Sequence, residues 1–327
     1  MISIIKISLI AIIVSLFLQG NAQVPGARMI TERNYPNCIE LSNDSVRVVL
    51  EPNLGGRVLV YELNGKNVLY VDDAQDGKVY ESGKFIHPSG GRSDIGPERT
   101  IPAHPALFFG KWEVHITGER EAEMISQKDT ATGVQLKRKF KLAKTGSRLE
   151  FTQIIKNISK TTKSYCHWSR TFVKGGGISL TPLNAMSRYP SGYLIYGPGK
   201  ILNFMPEDEA NIHVTEGILQ ITGAPSQPKI VTDSYAGWLA YITRENQLFV
   251  KKYPVFPLRN YGEIAASTAC VFYKEQYCEI EPIGPMETIA PWKEVSFTEI
   301  WYLFNYSFPT DKKADLKGIQ NILNELN

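Results

Sequence analysis

The sequence predicts an all-β protein, a large antiparallel β-sandwich with one short helix at its C-terminus. Three observations carry this. Short β-branched and aromatic runs recur along the chain, bounded by Gly, Asn, Asp or Pro. No helical spacers separate them, which points to a sandwich or barrel rather than a parallel α/β plan. Only the last stretch, Ala314–Leu326, spaces its apolar residues as a helix does, at Leu316, Ile319, Ile322 and Leu323.

Residues 1–22 stand outside that fold. Lys6 gives a positive start, the run Leu9 to Leu18 is mostly apolar, and Gly20-Asn21-Ala22 ends in the small residue a signal peptidase favours. The run is short for a bilayer span, and no cysteine follows closely to take a lipid. The expectation is a cleaved signal peptide, a periplasmic or secreted product, and no membrane attachment afterwards. Residues 23–327 then form a single domain, since no repeat, linker or shift in composition divides them.

The strands follow in order. Ser45–Glu51 and Arg57–Leu63 alternate apolar with other residues, and Val68–Val71 and Trp112–Thr117 are short β-branched or aromatic runs. Val134–Leu142, Leu149–Ile155 and Lys163–Val173 are longer. Tyr193–Tyr196, Gly217–Thr222, Trp238–Thr243, Gln247–Lys252, Thr268–Tyr273, Tyr277–Pro282 and Ser296–Phe304 complete the set. Asp311 is the expected N-cap of the helix. Two stretches read as loops: Pro88–Leu107, rich in Gly, Pro and charge, and the Pro-rich Tyr253–Gly262. Long ordered loops on such a scaffold often carry function.

Composition narrows the partners. The net charge is +3, or +2 without Lys6, too near neutral for general nucleic-acid binding. The four cysteines, Cys38, Cys166, Cys270 and Cys278, lie in a chain whose expected compartment permits disulfides. Cys270 and Cys278 flank a hairpin around Lys274-Glu275 and are candidates to face each other, although sequence alone does not set connectivity. Neither CxxC nor HExxH spacing occurs, so no metal and no cofactor are expected.

Two groups of residues resemble the galactose mutarotase-like superfamily, which includes the aldose 1-epimerases. Near the start, Leu41–Leu50 is followed by Gly55-Gly56-Arg57-Val58 and by Asn64-Gly65-Lys66-Asn67-Val68-Leu69. Near the end come Tyr277-Cys-Glu-Ile-Glu281-Pro, then Ala290-Pro291-Trp292-Lys293-Glu294-Val295, then Phe297-Thr-Glu299-Ile-Trp301. The likeness spans nearly the whole mature chain and loosens between about 175 and 230. It is closest to a secreted bacterial branch marked by Gly91-Arg-Ser-Asp-Ile-Gly-Pro97-Glu98 and Gly237-Trp238-Leu-Ala-Tyr241. The resemblance implies the supersandwich fold and a carbohydrate ligand, a mono- or oligosaccharide.

Mutarotation needs a base at the anomeric hydroxyl and an acid at the ring oxygen, both titrating near the working pH. The resemblance puts a catalytic glutamate on the Tyr277–Pro282 strand, hence Glu281 as base. Glu279 shares its face by the period of two and is the alternative, or a substrate contact. The resemblance also puts the acid on a mid-chain strand, hence His167, which shares a face with Tyr165 and Ser169, whereas Cys166, Trp168 and Arg170 take the other. Arg57 and Arg92 carry planar forks suited to sugar hydroxyls or a carboxylate. His87, Asp94, Glu98 and His104 cluster within one loop in a spacing that matches no metal-ligand pattern, and the first three are expected to bind sugar hydroxyls. Lys252, on an apolar face with Leu248 and Val250, suits an anionic sugar such as a uronate, and Trp238 offers a stacking surface. Three readings remain open: a mutarotase-like isomerase of a free sugar, neutral or acidic; a non-catalytic carbohydrate-binding protein; and a polysaccharide lyase or hydrolase using Tyr165, His167 and Arg92. Oligomeric state is not legible.

Overall fold

The computed structural model describes residues 24–81, 84 and 86–326; the signal peptide expected at residues 1–22 lies outside them. Among the described residues the strands form two antiparallel sheets, of 13 and 10 strands. The front sheet is centred on Gly91–Gly96, Lys163–Lys174, Tyr277–Pro282, Ala269–Tyr273 and Lys229–Thr232, in that spatial order. Arg57–Leu63 continues it on one side and Tyr193–Tyr196 on the other. The back sheet is centred on Trp238–Ile242, Gln247–Lys252, Glu294–Asn305, Leu149–Asn157 and Val134–Leu142.

Alternation decides which face each strand buries. Along Val134–Leu142, Val134, Leu136, Arg138, Phe140 and Leu142 are buried, while Lys139 and Lys141 are exposed. A one-residue slip would bury the lysines instead, so the register is strongly specified. Between the sheets a ring cluster forms. Phe140 stacks on Phe151 at 4.9 Å, and Trp301 meets Phe151 at 5.9 Å, Phe249 at 5.4 Å and Tyr61 at 5.8 Å. Removing one such ring leaves a cavity that costs roughly 3–5 kcal/mol.

The inter-sheet layer also holds charge. Lys251 of the back sheet pairs with Glu299 at 2.9 Å and donates to Ser169 Oγ at 2.7 Å and Thr171 Oγ1 at 3.0 Å of the front sheet. Arg138 reaches the carbonyls of Gly55 (2.7 Å), Gly56 and Ser93, with its guanidinium 4.1 Å from the Trp112 ring centre. The glycine pair is needed there. Both residues have positive φ (74° and 58°). A Cβ on Gly56 would strike the Trp112 indole, and one on Gly55 the Phe108 carbonyl. The Gly55 N–H also donates to the Gly110 carbonyl at 2.9 Å, so this turn anchors the far end of the 97–110 segment.

Several expectations need correction. Pro88–Leu107 reads as loop in the sequence, but Gly91–Gly96 is a fully buried central strand, and Pro105–Phe108 is one helical turn. Val68–Val71 contributes only an isolated bridge, Leu69 to Val173. The C-terminal helix spans Leu316–Asn324 and is capped by Asp315, not Asp311; the Asp315 side chain accepts from Gly318 N. Cys270 and Cys278 are free. The hairpin register pairs Cys270 with Glu281 and Cys278 with Tyr273, which puts the two thiols on opposite faces.

Candidate functional site

Ser169 and Thr171 face the back sheet, since they take the Lys251 ammonium. Their neighbours Trp168, Arg170 and Phe172 therefore face outward. Register extends that outer face over five strands in all. Arg92 pairs with Arg170 and Asp94 with Trp168. Phe172 pairs with Glu279, and Glu279 with Phe272. Glu281 pairs with Cys270, and Phe272 with Lys229. Four cationic and four acidic side chains thus meet on one face: Arg92, Arg170, Lys229 and His104 against Asp94, Glu98, Glu279 and Glu281.

Most of them are paired. Arg92 Nη2 lies 3.3 Å, and Arg170 Nε 3.4 Å, from the same Glu279 oxygen. The Trp168 indole N–H donates to Glu281 Oε2 at 2.6 Å. Lys229 Nζ donates to Glu98 at 2.8 Å and lies 5.3 Å from the Trp168 ring centre. The Arg170 guanidinium covers the same ring at 4.3 Å. His104 Nε2 meets Asp94 Oδ1 at 2.9 Å, and its Nδ1 meets the Pro102 carbonyl at 2.7 Å. His87 approaches Arg92 at 2.9 Å.

A cleft of about 410 Å³ opens on part of this face, within the range of small-molecule sites; of the charged groups Asp94, Glu98, His104 and Arg170 line it, and Glu281 lies behind the Trp168 indole that bonds it. Asp94, Trp168 and Arg170 form its base, Ile101, Pro102 and Phe108 its apolar wall, and Glu98 and His104 its sides. A larger groove, about 1200 Å³, runs between the Ile212–Thr215 edge strand and residues 311–317; it is dominated by polar residues and shares none with the cleft.

Burial and neighbours divide the titratable groups. Burial would raise Glu279, but Arg92 and Arg170 outweigh it and hold this carboxylate below its ordinary range. Burial, reinforced by Glu279, pushes Glu281 up to about 7 against the pull of Arg170, Lys229 and the Trp168 hydrogen bond. Two carboxylates two residues apart on one strand are thereby split into a fixed anion and a group that changes charge near neutrality. Burial lowers His104, but the Asp94 hydrogen bond and charge prevail and lift it to about 9. His87, desolvated and beside Arg92, falls to about 4.

The structure brings together six of the residues expected at a site: His87, Arg92, Asp94, Glu98, Glu279 and Glu281. Four others lie elsewhere. His167 shares the inward face with Ser169, stacks on Phe297 of the back sheet at 5.6 Å, and falls to about 3 through burial. Its parity was legible, but the inward face is the core, and Glu281 is on the other side of the sheet. Arg57 is wholly buried on Glu51 (3.1 Å), Gln75, the Ser89 carbonyl and the Tyr35 hydroxyl, all its bonds spent within the fold. Trp238 and Lys252 belong to the back sheet, where Trp238 packs in the cluster under the C-terminal helix and Lys252 donates to the Leu326 carbonyl. Tyr165, invoked for a lyase, donates to the Thr132 carbonyl in the core at 2.8 Å. Sequence reasoning missed Arg170 and Lys229 as site residues. The sequence carries a signal for Arg170, because alternation puts Trp168 and Arg170 on the face opposite His167. Among the described residues no group of three His, Cys, Asp or Glu side chains is placed to hold a metal.

No family model matches the chain, and no curated protein matches it by sequence. Solved structures do. A galactose mutarotase-like protein from Clostridium acetobutylicum aligns over 86% of this chain and 99% of its own, with a TM-score of 0.57 and 12% identity. One from Lactobacillus casei ATCC 334 covers 82% and 100%, at a TM-score of 0.52 and 10% identity. A protein from Synechocystis sp. PCC 6803 covers 82% and 96%, at 0.57 and 14%. The chain has the galactose mutarotase-like fold. At such identities the likeness speaks for architecture, and the reaction must be argued from the site.

Proposed function

We propose that this protein acts on a free sugar by mutarotase-like chemistry and that Glu281 is one of its two proton carriers. The observation that supports this most is Glu281 itself: a buried carboxyl on the outer face, bonded to the Trp168 indole, with its pKa pushed up to about 7. A group so tuned exists in both forms at neutral pH, as acid–base catalysis requires. His104, held protonated by Asp94 at the side of the cleft, is the second carrier and replaces His167. The Glu281 carboxylate removes the anomeric hydroxyl proton, and the His104 imidazolium protonates the ring oxygen. The bond between C1 and the ring oxygen breaks, the C1–C2 bond rotates, and closure on the other face returns both protons. The apolar wall of Ile101, Pro102 and Phe108 suits the C–H face of a pyranose.

One observation favours a second reading, a sugar-binding protein without catalysis. Glu281 is only 1% exposed and Trp168 only 2%, a closed floor that can hold a ligand without reacting with it. Anomeric proton exchange by NMR, over neutral hexoses and uronates, separates the two. Faster α/β exchange that drops roughly 10²- to 10⁴-fold in Glu281→Gln supports the enzyme. Saturable binding without faster exchange supports the binding protein. Full exchange in Glu281→Gln overturns the assignment. The periplasmic or secreted location belongs to the same proposal and is checked by N-terminal sequencing of the mature protein.

A further inference from the structure

Arg170 is nearly buried, its side chain 16% exposed, and it forms part of the cleft base. Its contacts are a 3.4 Å approach to Glu279 and its position over Trp168. Among the described residues none accepts a hydrogen bond from it, and its buried Nε has only the ion-pair approach to Glu279. A guanidinium carries five donors and no acceptor, and leaving such groups unmet in a buried place is costly. The other cations of the face are spoken for: Lys229 by Glu98, His104 by Asp94, and Arg92 by Glu279 with a hydrogen bond that Arg170 lacks. When Glu281 is protonated, Arg92 and Arg170 share the single charge of Glu279. The face as a whole, Arg92, Arg170, Lys229 and His104 against Asp94, Glu98 and Glu279, then carries one positive charge in excess, and Arg170 is the arginine of that face that lines the cleft.

We infer that the ligand is a sugar bearing one negative charge, a carboxylate of the uronate type, received by the Arg170 fork. This deepens the function proposed above and rests on the same cleft. A planar carboxylate matches a guanidinium bidentately. A single charge matches the single vacancy, whereas a dianionic sugar phosphate would leave the face with an excess of negative charge. The ligand carboxylate and the ionised Glu281 compete for the same cation. Binding therefore raises the protonated share of Glu281, and because that group is already about half protonated at pH 7, less than one proton is taken up as the uronate docks, the share still ionised remaining the base. Arg92, Lys229 and His87 from the neighbouring segments, and the anions Glu279, Glu98 and Asp94, set the field in which this exchange occurs.

Titration calorimetry at pH 7 in two buffers of different ionisation enthalpy tests this, using galacturonate, glucuronate, glucose 6-phosphate, glucose and galactose. Expected are uronate binding with proton uptake and a loss of roughly 10- to 100-fold in uronate affinity in Arg170→Gln, larger than the loss for neutral sugars. Arg170→Lys, which keeps the charge without the fork, recovers part of the affinity and serves if the glutamine variant is poorly folded by circular dichroism. In Glu281→Gln uronate still binds, but the proton uptake disappears. Equal affinity for neutral sugars and uronates, preference for the phosphate, or uronate affinity unchanged in both Arg170 variants overturns the inference. Exchange of neutral hexoses without uronate binding sinks it and leaves the mutarotase reading standing; uronate binding through Arg170 without anomer exchange does the reverse.

Discussion

Replacing His104 by Gln removes a charge that Asp94 holds in place, and the structure fixes both the size and the pH dependence of the loss. The imidazolium is carried from 6.5 to about 9 although burial opposes it, because Asp94 accepts its Nε2 proton and supplies the countercharge, with the Pro102 carbonyl and Asp129 adding to this. A shift of that size corresponds to roughly 3 kcal/mol. The group is raised in the folded state, so its contribution is full below about pH 6.5 and is lost as pH rises through about 9. Asp94 is lowered despite its burial, chiefly by His104, so its share is present above its ordinary range and lost as pH falls through the depressed value. Urea unfolding of the wild type and His104→Gln should therefore differ by about 3 kcal/mol at pH 5.5 and by little at pH 10. In parallel, the ring-proton NMR signals of the five histidines should include one titrating near 9, His104, and one near 4, His87. A stability difference that stays constant with pH, or the absence of any histidine titrating near 9, would refute the pairing.

Two further substitutions probe the same architecture. His167→Phe should leave activity on any sugar intact, since the ring faces Phe297 rather than the cleft; anomer exchange together with a melting curve decides it, and lost activity in a folded variant would return His167 to the mechanism. Lys251→Ala leaves Glu299 buried with its cation gone and should cost roughly 3–5 kcal/mol in urea unfolding; a loss below about 1 kcal/mol, the size of an exposed pair, would mean the ammonium is hydrated.

Much of the fold was legible because the sandwich is built by alternation. Arg57–Leu63, Val134–Leu142, Gln247–Lys252 and Tyr277–Pro282 have the bounds their patterns predict. Gly91–Gly96 escaped because its outward residues are Arg92 and Asp94, and Gly91 is small so that Trp301 can pack against it, a Cβ there lying 2.8 Å from the indole. Site chemistry erased the hydrophobic signature that marks a central strand. The same holds for Lys229–Thr232, whose first residue spends its charge on Glu98 across the cleft.

Parity and face are separate questions, and only the first is local. Period two correctly divided Lys163–Lys174 into His167 with Ser169 and Trp168 with Arg170, yet nothing within the strand says which set meets the back sheet. That depends on Lys251 and Phe297, more than 80 and 120 residues later, which claim Ser169, Thr171 and His167 for the interior. Charge makes the division hard to reverse. Turning the strand over would carry Arg170 away from Glu279 and into a layer that already holds the Lys251 ammonium, while Lys251 would lose both hydroxyls. The buried pair behind the sheet thus helps to orient the charged face in front of it, with Arg170 and Glu281 on the side where a ligand can arrive. By this reasoning the inward polar residues Ser169, Thr171 and Lys251 touch no ligand, and yet they position those that do.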